Sequence, residues 1–417
     1  MLTGPGVSDA SISLGLIVDR ASDRGFIDGV QLWRDTINTT GGICGRTIQL
    51  ATGATGSAPD VNYQTVGRST LGLITMEPGA AGMALASRIR VDRVPALTPE
   101  GTSSKGSESG PPIVLGATDD ILAINTAAHL LSTGVVPAGG TLGVLVDGSA
   151  AAADVMEGLT WWADKNKVTL RAIPETGSVP VDIPAVFAAV GAAQVASLLT
   201  RTSSAGGAAG SGRAAAAGGD GTAGGDILSG ATGSTGSGGA STHASGRAGG
   251  SSAGAGSTAA GPPKGPIIAT TLDGFDPSLL PAGQAGRLLV ATVTPSPGAD
   301  HPGVKAVDAA YAAAGHHHPG PRLLEGYATG EIWARLLEPM CSARTLTRTA
   351  ALADLAQLAP SSPDSLFGST SPNAALTTGA PASRVSALSI ADSSALAGLR
   401  PVTLLESAPG IADYHAG

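Results

Sequence analysis

Aromatic residues make up only 3% of this 417-residue chain, lysines number five and cysteines two. Each shortage excludes something. Lysine and arginine are not clustered and the net charge is −8, so the surface does not suit phosphate backbones and no nucleic-acid partner is expected. No apolar run approaches the ~18 residues that a membrane-spanning helix needs, so no transmembrane segment is expected. The opening residues, MLTGPGVSDASISLG, carry neither a basic n-region nor an apolar h-region, so an export signal is not expected in this chain. The P-loop pattern G-x-x-x-x-G-K-[ST] is missing, as is G-x-G-x-x-G after the first strand, so no nucleotide or other cofactor is expected. Nor is a metal expected. The consecutive His316, His317 and His318 do not point one way, and no spaced Cys or His completes a ligand set. Two cysteines, Cys44 and Cys341, leave the redox compartment open.

What is present is a globular composition: 42% hydrophobic residues, in a chain long enough for two domains. Residues 203–262 are a tract dominated by Gly, Ala, Ser and Thr, with no aromatic side chain. Such a segment cannot bury enough apolar area to offset its ordering entropy, which predicts a disordered insertion. Gly250, Ser252 and Gly254 within it match the nucleophile pattern G-x-S-x-G, but no strand or helix flanks them and the match carries no chemistry.

Outside that tract the periodicity alternates between strand and helix. Residues 12–18 form a short apolar run, as expected of a buried parallel strand. Phe26, Val30, Trp33 and Ile37 then recur at helical spacing. Gly41 and Gly42 supply a left-handed stop, and Ile48 and Leu50 open a second strand. Further on, a short helix is expected over 62–70, strands over 71–74 and 93–97, and a helix over 83–90. A second series follows: helix 119–133, strand 142–146, helix 154–165, strand 168–173, helix 183–191 and strand 195–200. After the glycine-rich tract come strands at 266–271 and 288–293, helices at 304–314, 327–340 and from Leu346, and closing strands at 385–390 and 402–405. The pattern predicts an α/β protein of two lobes with parallel sheets and right-handed crossovers. Ligands in such sheets lie outside the carboxyl ends of the strands, which singles out the loops 19–25, 77–81 and 99–104.

The wording of particular segments says more. NTTGGICGR, VPALTPEGTSS, LGVLVDGSAAAADVMEGL and GYATGEIWARLLE together resemble the leucine/isoleucine/valine-binding-protein-like family, the type I periplasmic (solute) binding proteins of ABC transporters. The resemblance covers about residues 8–200 and 265–415. It implies two Rossmann-like lobes joined by a three-crossing hinge that close on a ligand like a Venus flytrap. Lobe 1 would comprise 8–119 and 295–372, and lobe 2 would comprise 120–294 and 373–417. The implied function is extracytoplasmic capture, in the periplasm or at the cell surface, of a small polar ligand such as an amino acid or amide for an ABC permease. A ligand-sensing receptor of the same fold, or a degenerate paralogue that no longer binds, is the alternative; an enzyme is unsupported.

The resemblance also implies a site. Gly79, Ala80 and Ala81 stand where the family has a hydroxyl-rich turn, leaving backbone donors at a helix start. Gly101, Thr102 and Ser103 match a second binding turn. Asp273 takes the place of the acidic residue that pairs with a ligand's ammonium; Asp276, its rival, precedes a proline and is more simply a turn former. Tyr327 is the best-retained aromatic, whereas Ser22 and Thr202 stand near positions often aromatic in the family. Arg46 is expected to make a structural contact beside its turn. Both cysteines would fall in lobe 1, where a Cys44–Cys341 bridge stands open against two free thiols.

Overall fold

The computed structural model describes residues 1–18, 24–53, 59–76, 79–103, 110–208, 265–284 and 286–416. Two sheets organise it. The first contains β1 (Ser11–Val18), β2 (Thr47–Thr52), β3 (Gly72–Met76), β4 (Ala96–Thr98) and β5 (Ile113–Val114). All its pairs are parallel, in the order β2-β1-β3-β4-β5. The second contains β6 (Thr141–Val146), β7 (Thr169–Ala172), β8 (Ala185–Ala189), β9 (Ile267–Thr271), β10 (Leu288–Thr292), β11 (Ser386–Ala391) and β12 (Leu399–Glu406). Its order is β12-β11-β10-β9-β8-β6-β7. The five central and far strands are parallel, but β11 and β12 run antiparallel to their neighbours, so this sheet is mixed.

Helices cover the sheets: α1 (Arg24–Thr39), α2 (Gly79–Asp92), α3 (Asp119–Ser132), α4 (Ala150–Asn166), α5 (Ala192–Ala208), α6 (Pro302–Ala313), α7 (Leu323–Ser342), α8 (Arg348–Leu355) and α9 (Pro372–Thr378). Their ends follow ordinary capping chemistry. Ser149 accepts a hydrogen bond from the Ala152 amide at 3.1 Å at the start of α4, and Lys167 stops that helix in a left-handed conformation.

Helix α1 presents Phe26, Val30 and Trp33 to the core, the face that the spacing predicts. It packs against α7 at glycine contacts. A Cβ on Gly29 would stand 2.0 Å from the Leu323 carbonyl oxygen, and one on Gly326 would stand 2.1 Å from that of Phe26. Only hydrogen fits where the two backbones meet.

The turn between α1 and β2 is equally specific. Asn38 uses its side-chain amide as a strand partner, donating to the Ile48 carbonyl at 3.0 Å and accepting from the Ile48 amide at 2.7 Å. Gly42 has a positive φ of 74°, and a Cβ there would meet the Arg46 carbonyl oxygen at 1.9 Å. Arg46 donates from Nε to the Ser8 carbonyl at 2.7 Å, a structural contact. Cys44 is disulfide-bonded to Cys341, with their Cα atoms 5.5 Å apart. The bond ties this turn to the carboxyl end of α7.

Three expectations need correction. Residues 183–191 are not helical: Ala185–Ala189 form β8, buried along its length apart from its last residue. Residues 195–200 are not a strand but part of α5, in which Val195, Leu198, Leu199 and Thr202 are buried at i, i+3, i+4 and i+7, a helical period. That helix runs on to Ala208, so the beginning of the glycine-rich tract is ordered; its remainder up to 262 lies outside the described residues. The short helix expected over 62–70 is instead one α-helical turn, Pro59–Asn62, continued as a π-helix over Tyr63–Gly67.

Candidate functional site

The carboxyl ends of strands from both sheets converge on one cleft of about 1000 Å³. Strand β3 delivers Thr75 and Met76 to it, and β4 delivers Thr98 and, one residue beyond Pro99, Glu100. The segment after β9 delivers Leu272 and Asp273, and Pro321 and Arg322 lead into α7. Such a crevice, outside the strand ends, is where open α/β sheets bind ligands.

Arg322 is the centre of its floor. The side chain is 9% exposed and pairs with three carboxylates. Nη1 donates to Glu100 Oε2, and also to Glu325 Oε2 at 3.2 Å. Nη2 donates to Asp273 Oδ1 at 2.6 Å. Burial works against the guanidinium's charge, but Glu100, Glu325 and Asp273 outweigh it and hold Arg322 firmly protonated.

One cation does not neutralise this many acids. Burial pushes Glu325 well above the usual carboxylate range, the charge of Glu100 adds to the push, and Arg322 only opposes it. Glu325 Oε1 is buried with no hydrogen-bond acceptor role filled; once protonated, the group becomes a donor toward Glu100. Glu100 is itself raised by burial, against the pull of Arg322. Asp119, the first residue of α3, is likewise held well above its ordinary value, first by burial and then by the charges of Asp273, Glu100 and Asp120.

The wall beside Asp119 is built by backbone. The Asp119 amide donates to the Gly101 carbonyl at 3.0 Å, and Gly101 forms a bridge with Thr118. This contact seats the turn Gly101, Thr102 and Ser103 against the start of α3, and all three residues line the cleft.

Sequence comparison decides the family. A family model described as periplasmic binding protein matches residues 11–250, more than half of the chain. This chain belongs to the periplasmic binding protein family. Its two-lobe fold is of type I, and the family binds substrates rather than transforming them. No curated protein matches the chain. Among solved structures, a fatty acid ABC transporter substrate-binding protein from Thermomonospora curvata matches at 19% identity with a TM-score of 0.74, over 100% of this chain and 97% of that one. A branched-chain amino acid ABC transporter protein from Thermus thermophilus with bound valine matches at 12% identity and TM-score 0.65, over 99% and 100%. A substrate-binding protein from Aeropyrum pernix matches at 14% identity and TM-score 0.64, over 96% and 97%.

Within this periplasmic binding protein, the residues expected at the site divide into three groups. Gly101, Thr102, Ser103 and Asp273 line the cleft, and so does Asp276, whose side chain also accepts from the Ser278 amide at 2.8 Å as a turn former would. Gly79, Ala80 and Ala81 form the first turn of α2, and the next residues, Gly82 and Met83, line the cleft. Thr202 and Tyr327 are elsewhere. Thr202 is buried on α5, donates to the Leu198 carbonyl at 2.9 Å and accepts from Arg287 Nη2 at 2.8 Å. Tyr327 lies on α7 facing α1, with Thr36 as a hydrogen-bond partner. Ser22 lies outside the described residues.

The residues that sequence reasoning missed are Arg322, Glu325 and Asp119, and Glu100 was marked only by its place in the loop 99–104. One signal was available. Arg322 and Glu325 stand three apart at the start of an apolar helix, and charges placed at a buried helix start need partners.

Proposed function

We propose that this protein is the solute-binding component of an ABC importer, working outside the cytoplasm and handing a small molecule to a permease. One observation carries the reading: Glu100 and Asp119 from segments after strands of the five-stranded sheet, Asp273 from the segment after β9 of the seven-stranded sheet, and Arg322 from the start of α7 meet on the floor of a single large cleft. A ligand held there touches both lobes at once, so its binding favours the closed form by the difference in affinity between the two forms. The floor suits a polar, nitrogen-bearing head, a chemistry shared by amino acids and amides. The structural neighbours, one a fatty acid ABC transporter substrate-binding protein and one with valine bound, support import of small organic molecules in general. The proposal takes residues 8–119 with 295–372 as one lobe and 120–294 with 373–417 as the other.

A thermal-shift screen tests this reading. Amino acids, amides, amines and carboxylic acids are each added to the purified protein, since a ligand that binds only the native state raises the melting temperature. At least one class is expected to raise it in a saturable way. A flat response across all classes contradicts the proposal.

A further inference from the structure

The cleft is acidic at its floor and apolar along its walls. Glu100, Asp119, Asp154, Asp273 and Asp276 line it, against Arg90 and Arg322. Arg322 is fully engaged by Glu100, Asp273 and Glu325, so it offers no vacant fork to an incoming anion. Asp119 lines the floor beside Asp273, and the Asp273 side chain is 58% exposed, so it has lone pairs to give. Above the floor the lining turns apolar, with Met76, Met83, Ala86, Pro112, Val114 and Phe275. Met83 is 61% exposed, an adaptable apolar side chain. At about 1000 Å³, the cleft lies at the upper end of the ~300–1,000 Å³ range that holds drug-sized molecules.

We propose that the ligand is an amphipathic organic cation, with an ammonium or similar head held by Asp119, Asp273 and Glu100 and an apolar body lying along the Met76–Met83–Val114 wall. The inference rests on the solute-binding reading above and narrows its ligand class. A carboxylate head in the same place must displace an acid from Arg322 and then sit beside the remaining acids, a like-charge arrangement that disfavours the wrong partner. A small zwitterion satisfies the floor but leaves the apolar walls wet.

Isothermal titration of the intact protein with octylamine, octanoate and leucine tests the inference. Octylamine is expected to bind one to one, at least about tenfold tighter than either competitor. Equal or tighter binding of octanoate or leucine overturns the cationic ligand and leaves the solute-binding reading standing. Failure of all three, together with a flat thermal-shift screen, overturns both. Asp273→Asn is expected to weaken octylamine by about tenfold, the loss of one partly solvated charge contact, and unchanged affinity counts against the assignment.

A second arm uses pH and needs no variant. The octylamine head stays charged between pH 6 and 8, because such amines titrate near 10.4, as lysine does. Asp119, which faces Asp273, Glu100, Asp120 and Arg322, is held toward its neutral form and must ionise to meet a cation. Octylamine affinity is therefore expected to rise with pH across this window. A fall in affinity overturns the assignment.

Discussion

Arg322 Nη2 donates to Asp273 Oδ1 at 2.6 Å, and this bond joins the segment after β9 of the seven-stranded sheet to the residue that starts α7. The same guanidinium reaches Glu100 after β4 of the five-stranded sheet. One side chain thus ties both sheets' loops to the floor of the cleft, and its removal has consequences for stability and for binding.

Arg322→Met keeps much of the volume and removes the charge. Glu100, paired with the guanidinium, then loses its cation, and breaking a buried pair from one side costs about 3–5 kcal/mol. Chemical denaturation of the variant is expected to show a loss of that order. A loss below about 1 kcal/mol would mean that the cluster is solvated.

Glu325→Gln separates charge from shape. Because burial and Glu100 raise the Glu325 carboxyl well above its ordinary value, the folded protein holds that proton more tightly than the unfolded chain. A group raised on folding contributes stability that is complete below its unfolded value of about 4.3, and that contribution is lost as pH rises through the folded value. Glutamine does not titrate. The variant is therefore expected to gain stability relative to wild type as pH rises from 5 to 8, as read from melting curves at each pH. A difference that stays level, or moves the other way, refutes the raised carboxyl.

Gly326→Val probes the contact between α1 and α7. Its Cβ has only 2.1 Å to the Phe26 carbonyl oxygen, so the helices must separate. Overpacking of this kind costs about 1–3 kcal/mol, and the melting temperature is expected to fall accordingly. An unchanged melting temperature would show that the two helices are not in such close contact.

Replacing both Cys44 and Cys341 by serine opens a crosslink that spans 297 residues of sequence. Removing a bond that closes a loop of this size is expected to cost about 2–5 kcal/mol. Ligand affinity should persist, because the turn holding Cys44 enters β2 at its amino end whereas the cleft lies at the carboxyl ends of the strands. Lost affinity in a folded variant would place the bond within the binding machinery.

Much of the scaffold was legible because its signals are local. The run ending in Val18, the stripe of Phe26, Val30 and Trp33, and the glycine stop at Gly41 and Gly42 each carry a period or a backbone requirement that short stretches display. The exchange of helix and strand between 183 and 200 arose because both apolar segments are short: AVFAA is buried on both faces and shows no alternation, and the helical face of Val195, Leu198 and Leu199 is short enough to pass for a strand. The site was legible only in part. Asp273 and the Gly101 turn stand on loops at strand ends, where position alone marks them. Arg322 gains its importance from Glu100 and Asp273, which are 222 and 49 residues away, and no local pattern links residues so far apart. Thr202 and Tyr327 were drawn to the site by alignment, while their side chains serve the packing of α5 and α7.

The most direct test is a crystal structure of the protein with the best compound from the ligand screen. The account predicts a ligand in the cleft with its polar head within hydrogen-bond distance of Asp273 or Asp119 and its body against Met83 and Val114. A ligand bound elsewhere on the protein, with this cleft filled by solvent, would contradict it.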